Sequence, residues 1–160
     1  MTKQINSTLL ISLLLSAGGV LAAGCASVAP PAGYASVEMT MNVTGYCPCK
    51  QCCSWKRTWY GKPVYASGSL QGERKKIGQT ASGVKAKPGT VAADKRYPFG
   101  TIMDIPGYGR GIVQDRGGAI QGDHIDVFFK NHGDALRWGK QTIRVRFWVP
   151  RNSPLLASQH

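Results

Sequence analysis

The chain has 160 residues, of which twenty are Lys or Arg and eight are Asp or Glu, so its net charge is +12 at pH 7. Hydrophobic residues make up 42% of it, enough for a packed globular domain rather than a disordered chain. The basic residues are scattered apart from the run R-K-K at 74–76. No nucleic-acid-binding motif accompanies them, so we expect no nucleic-acid partner.

The first residues have the pattern of a secretory signal. Lys3 precedes an apolar run at 9–15, and the small residues L-A-A-G at 21–24 lead to Cys25. This predicts a signal peptide over 1–24 of the bacterial lipoprotein type, with Cys25 lipidated. An ordinary cleaved signal peptide, with Cys25 incidental, is the alternative. A membrane-spanning helix is disfavoured because polar and glycine residues interrupt the apolar run before the ~20 residues that a span needs.

The rest of the chain divides by composition. Small residues and prolines predict a tether over 25–35. A single domain is expected over 36–150, followed by a polar tail over 151–160. The interpretation is an exported protein, lipid-anchored to the bacterial cell envelope, in the outer membrane if the source is Gram-negative.

Four cysteines lie close together in C-P-C-K-Q-C-C at 47–53. An even number of cysteines in an exported protein favours two intramolecular disulfides. Neighbouring cysteines bridge only with strain. The pairs are therefore Cys47–Cys52 with Cys49–Cys53, or Cys47–Cys53 with Cys49–Cys52.

A metal or thiol-redox site is the competing interpretation of this cluster. Zinc sites usually draw cysteine pairs from separated turns, and seven contiguous residues wrap one ion poorly. The sequence shows no ligand or base partner for His124, His132 or His160. We therefore expect no metal here, and the cluster is interpreted as a structural staple.

Strand patterns dominate the domain. Apolar and polar residues alternate at 37–43 and at 142–149. The helix signal lies at 131–138, with Asn131 as a cap and Gly139 as a stop. Six strands and one small helix indicate an all-β closed barrel over a sandwich, and the polar, glycine-rich stretch 67–83 indicates an exposed loop near the site. The four shorter strands are expected at 90–93, 101–105, 111–113 and 125–129.

Three aspartates stand at or within these strands. Asp94 follows the apolar V-A-A, Asp115 ends the run before a glycine-rich turn, and Asp126 interrupts I-D-V-F-F at 125–129. A carboxylate within an apolar strand costs free energy, so it needs a partner or a function. Hydrogen bonding to turn amides is the alternative.

These segments resemble the 3D, or three-aspartate, domain of bacterial cell-wall proteins, a family that includes membrane-bound lytic transglycosylase A and short stationary-phase survival proteins. The resemblance covers roughly 38–149 and implies a double-psi β-barrel. Five motifs carry it, T-A-S-G at 80–83, V-A-A-D at 91–94, P-F-G-T at 98–101, D-R-G-G-A-I-Q-G at 115–122 and I-D-V-F at 125–128.

The resemblance also implies an activity, which is non-hydrolytic cleavage of peptidoglycan glycan strands with a 1,6-anhydro product. It implies that Asp126 is the catalytic acid and that Asp115 and Asp94 support it. Apolar neighbours and a nearby Asp115 would raise the pKa of Asp126 and keep it protonated. No cofactor is expected, and the protein is expected to be a monomer.

The expected partner is the peptidoglycan glycan strand, since a basic protein suits an anionic wall. Thr80, Thr101 and Gln114 could supply polar contacts to a sugar, and Tyr46 or Trp138 could stack on one. Core packing is the alternative for Trp138. A non-catalytic glycan-binding barrel, which keeps the acids for sugar hydrogen bonds, is the alternative function.

Overall fold

The computed structural model describes residues 32–159. The predicted signal peptide at 1–24 and the predicted lipidation site at Cys25 lie outside these residues, as does most of the predicted tether. No helix between residues 32 and 159 is long and apolar enough to cross a bilayer.

Within this range the structure contains eight strands, two α-helices and a 3-10 helix. Both long strands occur where the sequence alternates, and the helix predicted at 131–138 is confirmed, with Asn131 as its N-cap and Gly139 as its C-cap. The elements are β1 (Tyr34–Tyr46), α1 (Lys50–Cys53), β2 (Trp55–Arg57), β3 (Pro63–Tyr65), β4 (Thr90–Ala92), β5 (Ile102–Ile105), β6 (Gly109–Asp115), β7 (His124–Phe128), α2 (His132–Trp138), β8 (Lys140–Pro150) and η1 (Pro154–Gln159).

Six of the strands close into a barrel in the order β1-β7-β4-β6-β5-β8. The pairs β1–β7 and β4–β6 are parallel, and the other neighbours are antiparallel. Exchanging the first three barrel strands (β1, β4, β5) with the last three (β6, β7, β8) reproduces the same neighbours and directions. This internal two-fold repetition is the double-psi arrangement, so the predicted fold class is confirmed.

The barrel interior is filled by the apolar residues of the alternating strands. Val37, Met41 and Val43 of β1 are fully buried, as are Val145 and Phe147 of β8. These two strands pair along eleven positions from Tyr34↔Pro150 to Thr44↔Lys140. The period-2 pattern of each strand therefore sends one set of side chains inward over the whole length of the pair.

Two regions differ from the sequence-based expectation. The segment after β1 forms the short helix α1 and a separate two-stranded sheet of β2 and β3, and neither was predicted from the sequence. The expected polar tail is partly packed, because Leu155 of η1 is 6% exposed and belongs to the barrel core cluster.

Candidate active site

Two of the three predicted aspartates stand on either side of one short strand. Strand β4 lies between β6 and β7, and its last residue Ala92 pairs with Asp115 of β6 and with Asp126 of β7. The register between β4 and β6 shifts after Val91, a β-bulge of the kind that redirects a side chain near a site. Strand order therefore brings the two carboxylates together, and the glycine turn only connects their strands.

Asp126 is mostly buried at the base of a cleft. Burial, with a smaller contribution from the nearby carboxylate of Asp115, raises the pKa of Asp126 to about 6, although a hydrogen bond from Thr44 and the charge of His124 act in the opposite direction. A carboxyl group with a pKa near 6 can both donate and accept a proton close to neutral pH, which is the property of a general acid or base.

Two hydrogen bonds link Asp126 to His124, which lies two residues earlier on the same strand, through the hydroxyl of Thr44 on β1. Thr44 Oγ1 donates to Asp126 Oδ1 over 3.0 Å and lies 2.9 Å from His124 Nε2. The hydroxyl has one proton, so His124 donates to Thr44 when Thr44 donates to Asp126. The sequence showed no partner for His124, and that interpretation is wrong. The available signal was that positions 124 and 126 share one face of a strand.

Asp115 is held by three donors from three directions. Tyr46 Oη donates to Oδ2 over 2.8 Å, and the amides of Ala81 and Arg116 each donate to Oδ1 over 2.9 Å. A carboxylate offers about four lone-pair sites, so Asp115 has little capacity left for a ligand. Its contacts position Tyr46 and the turn after Thr80, while its charge acts on Asp126.

Asp94 does not line the cleft. Its Oδ1 accepts from the amide of Arg96 over 2.9 Å and its Oδ2 accepts from the amide of Gly122 over 3.0 Å. These two hydrogen bonds, first that from Arg96, lower the pKa of Asp94. Gly122 has φ 62°, which disfavours other residues. The structure thus places Asp94 as a clamp on the turn before β7, and of the three predicted aspartates it brings Asp126 and Asp115 together in the cleft.

The cleft has a volume of about 880 Å³ and is lined partly by the barrel end and partly by a polar loop. Its base is the barrel end with Asp115, Asp126 and Phe128. The polar loop predicted at 67–83 also lines the cleft, and the basic residues 74–76 are part of this loop. Lys75 Nζ is 4.1 Å from the centre of the Tyr65 ring, a cation–π contact that holds one of these charges at the wall.

The predicted substrate-binding residues are only partly at the cleft. Thr80 lines it but is 5% exposed, and its hydroxyl donates to the carbonyl of Val84 over 3.0 Å. Thr101 Oγ1 donates to the carbonyl of Pro98, and Gln114 Oε1 accepts from Thr90, and neither residue lines the cleft. The hydroxyls of Thr80 and Thr101 and the side-chain oxygen of Gln114 are thus engaged within the protein.

Neither aromatic candidate is an exposed stacking surface. Tyr46 lines the cleft but is 6% exposed, with its ring packed edge-to-face on Phe128 at 5.4 Å. Burial raises the pKa of the Tyr46 hydroxyl, which stays a proton donor to Asp115. Trp138 packs against Tyr108 and Phe129 away from the cleft, so core packing, the alternative, describes it.

The cysteine cluster also differs from expectation. Cys47, Cys49, Cys52 and Cys53 are all free, so the structure contains neither predicted pair of disulfides among them. Three of these thiols gather around His132 of α2, a residue to which the sequence had assigned no partner.

The fold and the site together define a double-psi barrel whose cleft contains basic residues and a mostly buried carboxyl group with a raised pKa. Residues 89–150 match the family model of the 3D domain. The resemblance to the 3D domain that was seen in the sequence is therefore confirmed over these residues.

Relatives with curated descriptions come from Bacillus subtilis. The chain is 39% identical over 74 residues to YabE, whose name assigns it provisionally to cell wall shaping, and 36% identical over 74 residues to the cell wall-binding protein YocH. Each match covers 43% of this chain, but only 18% of YabE and 26% of YocH. The chain thus spans well under a third of either relative.

Solved structures of the lytic transglycosylase MltA from Escherichia coli also match. One MltA structure is 23% identical, with a TM-score of 0.37 over 45% of this chain and 27% of MltA. A structure of MltA with bound chitohexaose is 26% identical, with a TM-score of 0.37 over 48% of this chain and 28% of MltA. The barrel assignment itself follows from the strand order described above.

Proposed function

We propose that this protein acts on the bacterial cell wall and that its cleft cleaves peptidoglycan glycan strands as a lytic transglycosylase. The carrying observation is Asp126, a carboxyl group with its pKa raised to about 6 at the base of a cleft large enough for a sugar chain. Cleavage of a glycosidic bond needs an acid that is protonated at the working pH, so that the departing oxygen leaves as a hydroxyl.

Asp126 would serve in both halves of the reaction. It first gives its proton to the oxygen of the scissile bond, and the bond between that oxygen and the anomeric carbon breaks. The resulting carboxylate then takes the proton of the 6-hydroxyl of the same sugar, whose oxygen bonds to the anomeric carbon and closes a 1,6-anhydro ring. Asp126 ends protonated again, and no water is consumed.

The surroundings of Asp126 support a mechanism with one acting carboxylate. Glycosidases that use water or a covalent intermediate need a second carboxylate free to act as base or nucleophile. Asp115 is the neighbouring acid, and its three donors occupy it. The Thr44 hydroxyl, 3.0 Å from Asp126 Oδ1, would stabilise the carboxylate formed after the first proton transfer.

The basic wall supports an anionic wall polymer as the ligand. Arg74, Lys75 and Lys76 all line the cleft that the two aspartates also line. Peptidoglycan carries carboxylates on its peptide stems, and a wall of positive charge would hold these while the neutral sugar backbone lies over Asp126. Lipid attachment at Cys25 would keep the domain at the envelope where this polymer lies.

A non-catalytic glycan-binding barrel is the second candidate. The basic wall favours it, because positive charge can bind an anionic polymer without any proton transfer. The relative YocH is also named as cell wall-binding. In this case the acids would only accept hydrogen bonds from sugar hydroxyls.

Incubation of the purified protein with peptidoglycan sacculi separates the two candidates. Released fragments are analysed by mass spectrometry, and sedimentation with the sacculi measures binding. Fragments with anhydro ends are expected. Fragments with reducing ends would replace the transglycosylase with a hydrolase, and binding without release would favour the second candidate.

A further inference from the structure

Four ligand atoms of three cysteines and one histidine converge beside the cleft. Cys47, Cys49 and Cys52 follow β1 and enter α1, and His132 is the first residue of α2, 80 residues after Cys52. Their Sγ and nitrogen atoms all lie within 4.8 Å of one another. The fourth ligand atom therefore comes from a helix far away in the sequence and not from the fourth cysteine of the segment.

The separations can be compared with those of a tetrahedral metal site. Zn–S bonds of about 2.3 Å and Zn–N bonds of about 2.0 Å at the tetrahedral angle give edges of about 3.8 Å between sulfurs and about 3.5 Å between sulfur and nitrogen. Cys47 Sγ lies 3.8 Å from Cys52 Sγ. His132 Nδ1 lies 3.9 Å from Cys47 Sγ, 3.6 Å from Cys49 Sγ and 3.4 Å from Cys52 Sγ.

Disulfide chemistry does not account for this arrangement. A disulfide needs sulfurs about 2.05 Å apart. Disulfide bonding also gives no reason for an imidazole nitrogen to lie close to all three thiols. Cys53, which would complete two pairs, faces elsewhere. Its Sγ donates to the carbonyl of Cys47 over 3.2 Å and is not one of the four converging ligand atoms.

We propose that Cys47, Cys49, Cys52 and His132 bind one zinc ion in a tetrahedral site. Because all four positions are filled by protein ligands, the site is structural, and no open position remains for water or substrate. The amide of Cys52 donates to Cys49 Sγ over 3.5 Å, an outer hydrogen bond of the kind that orients a thiolate ligand.

The ion would fasten one wall of the cleft to the barrel. Cys52, Cys53 and Ser54 line the cleft, and the carbonyl of Ser54 accepts from the amide of Ala66 over 2.8 Å, which ties α1 to the β2–β3 sheet. His132 is fixed in turn at the start of α2, where Asn131 Oδ1 caps the amide of Asp134 over 2.9 Å. The site is thus independent of whether the cleft cuts or only binds a glycan.

The test measures metal in the purified full-length protein, without added chelator. Elemental analysis should find about one zinc per chain in the wild type and in Cys53→Ser, the matched control, and almost none in Cys52→Ser or His132→Ala. X-ray absorption of the wild type should show three sulfur ligands and one nitrogen ligand. Cobalt added to metal-free wild-type protein should give the intense visible bands of a tetrahedral thiolate site.

The wild-type measurements decide the question even if a ligand variant does not fold. A protein that neither holds zinc nor gives tetrahedral cobalt bands would overturn the proposal. So would equal loss of zinc from Cys53→Ser and Cys52→Ser, or complete pairing of the four thiols in disulfides by thiol titration of the denatured, unreduced protein.

Discussion

The raised pKa of Asp126 predicts a specific pH dependence of stability. The pKa of this carboxyl group is 3.8 as a free side chain and about 6 in the fold. Between these two values the folded state binds more protons than the unfolded state, so the free energy of unfolding falls as pH rises through this range. Each unit of pKa shift corresponds to about 1.4 kcal/mol, so the full change is about 3 kcal/mol.

Asp126→Asn isolates this contribution. Asn keeps the shape of the side chain and can still accept from Thr44, but it does not ionise. The difference in unfolding free energy between Asp126→Asn and the wild type should therefore grow in favour of the variant by about 3 kcal/mol between pH 3.5 and pH 7.5. With a urea m-value of about 2 kcal/mol per M, the difference between the two midpoints changes by about 1.5 M.

Urea denaturation followed by tryptophan fluorescence at five or six pH values measures this difference directly. Titrating groups that do not interact with Asp126 affect both proteins alike and cancel. A difference that stays constant from pH 3.5 to pH 7.5 would refute the reasoning, because it would mean that the fold does not disfavour the Asp126 carboxylate.

Three further predictions concern the surroundings of the site. Tyr46→Phe removes a donor from Asp115 and should lower the unfolding free energy by about 1–3 kcal/mol. The exposed control Tyr60→Phe should change it by less than about 0.5 kcal/mol. Equal effects of the two variants in urea denaturation would contradict the role of this hydrogen bond. Arg74→Gln with Lys76→Gln should weaken sedimentation with peptidoglycan and reduce its salt dependence, because two charges of the cleft wall are lost, while Lys130→Gln, outside the cleft, should bind as the wild type does. Cys25→Ala should release the protein from membranes or block its maturation, as cell fractionation would show, and a variant as membrane-bound and as fully processed as the wild type would disprove the lipid anchor.

The strands were predictable from the sequence because their cause is local. Alternation at 37–43 and 142–149 marks the two strands that pair along the whole barrel, and Asn131 and Gly139 mark the ends of α2. The short β2 and β3 carry no clear alternation over three residues each, so they were missed.

The site was less predictable because its contacts join distant parts of the chain. Asp126 faces Thr44 through a parallel pairing with β1, and no pattern near residue 126 specifies that register. The same holds for His132, which meets Cys52 only because α2 follows the strand that lies beside β1. Thr80 and Gln114 looked available in the sequence, but the Thr80 hydroxyl and the Gln114 side-chain oxygen have partners within the fold.

The release of glycan fragments by Asp126→Asn tests the central claim most directly. The account predicts that this variant, folded and still sedimenting with peptidoglycan, releases anhydro fragments at least ~100-fold more slowly than the wild type, the low end for the loss of a general acid. Asp104→Asn is the matched control, since Asp104 pairs with Arg110 outside the cleft, and it should release fragments at the wild-type rate. A folded Asp126→Asn variant that releases them as fast as the wild type would remove Asp126 from the chemistry and contradict the account.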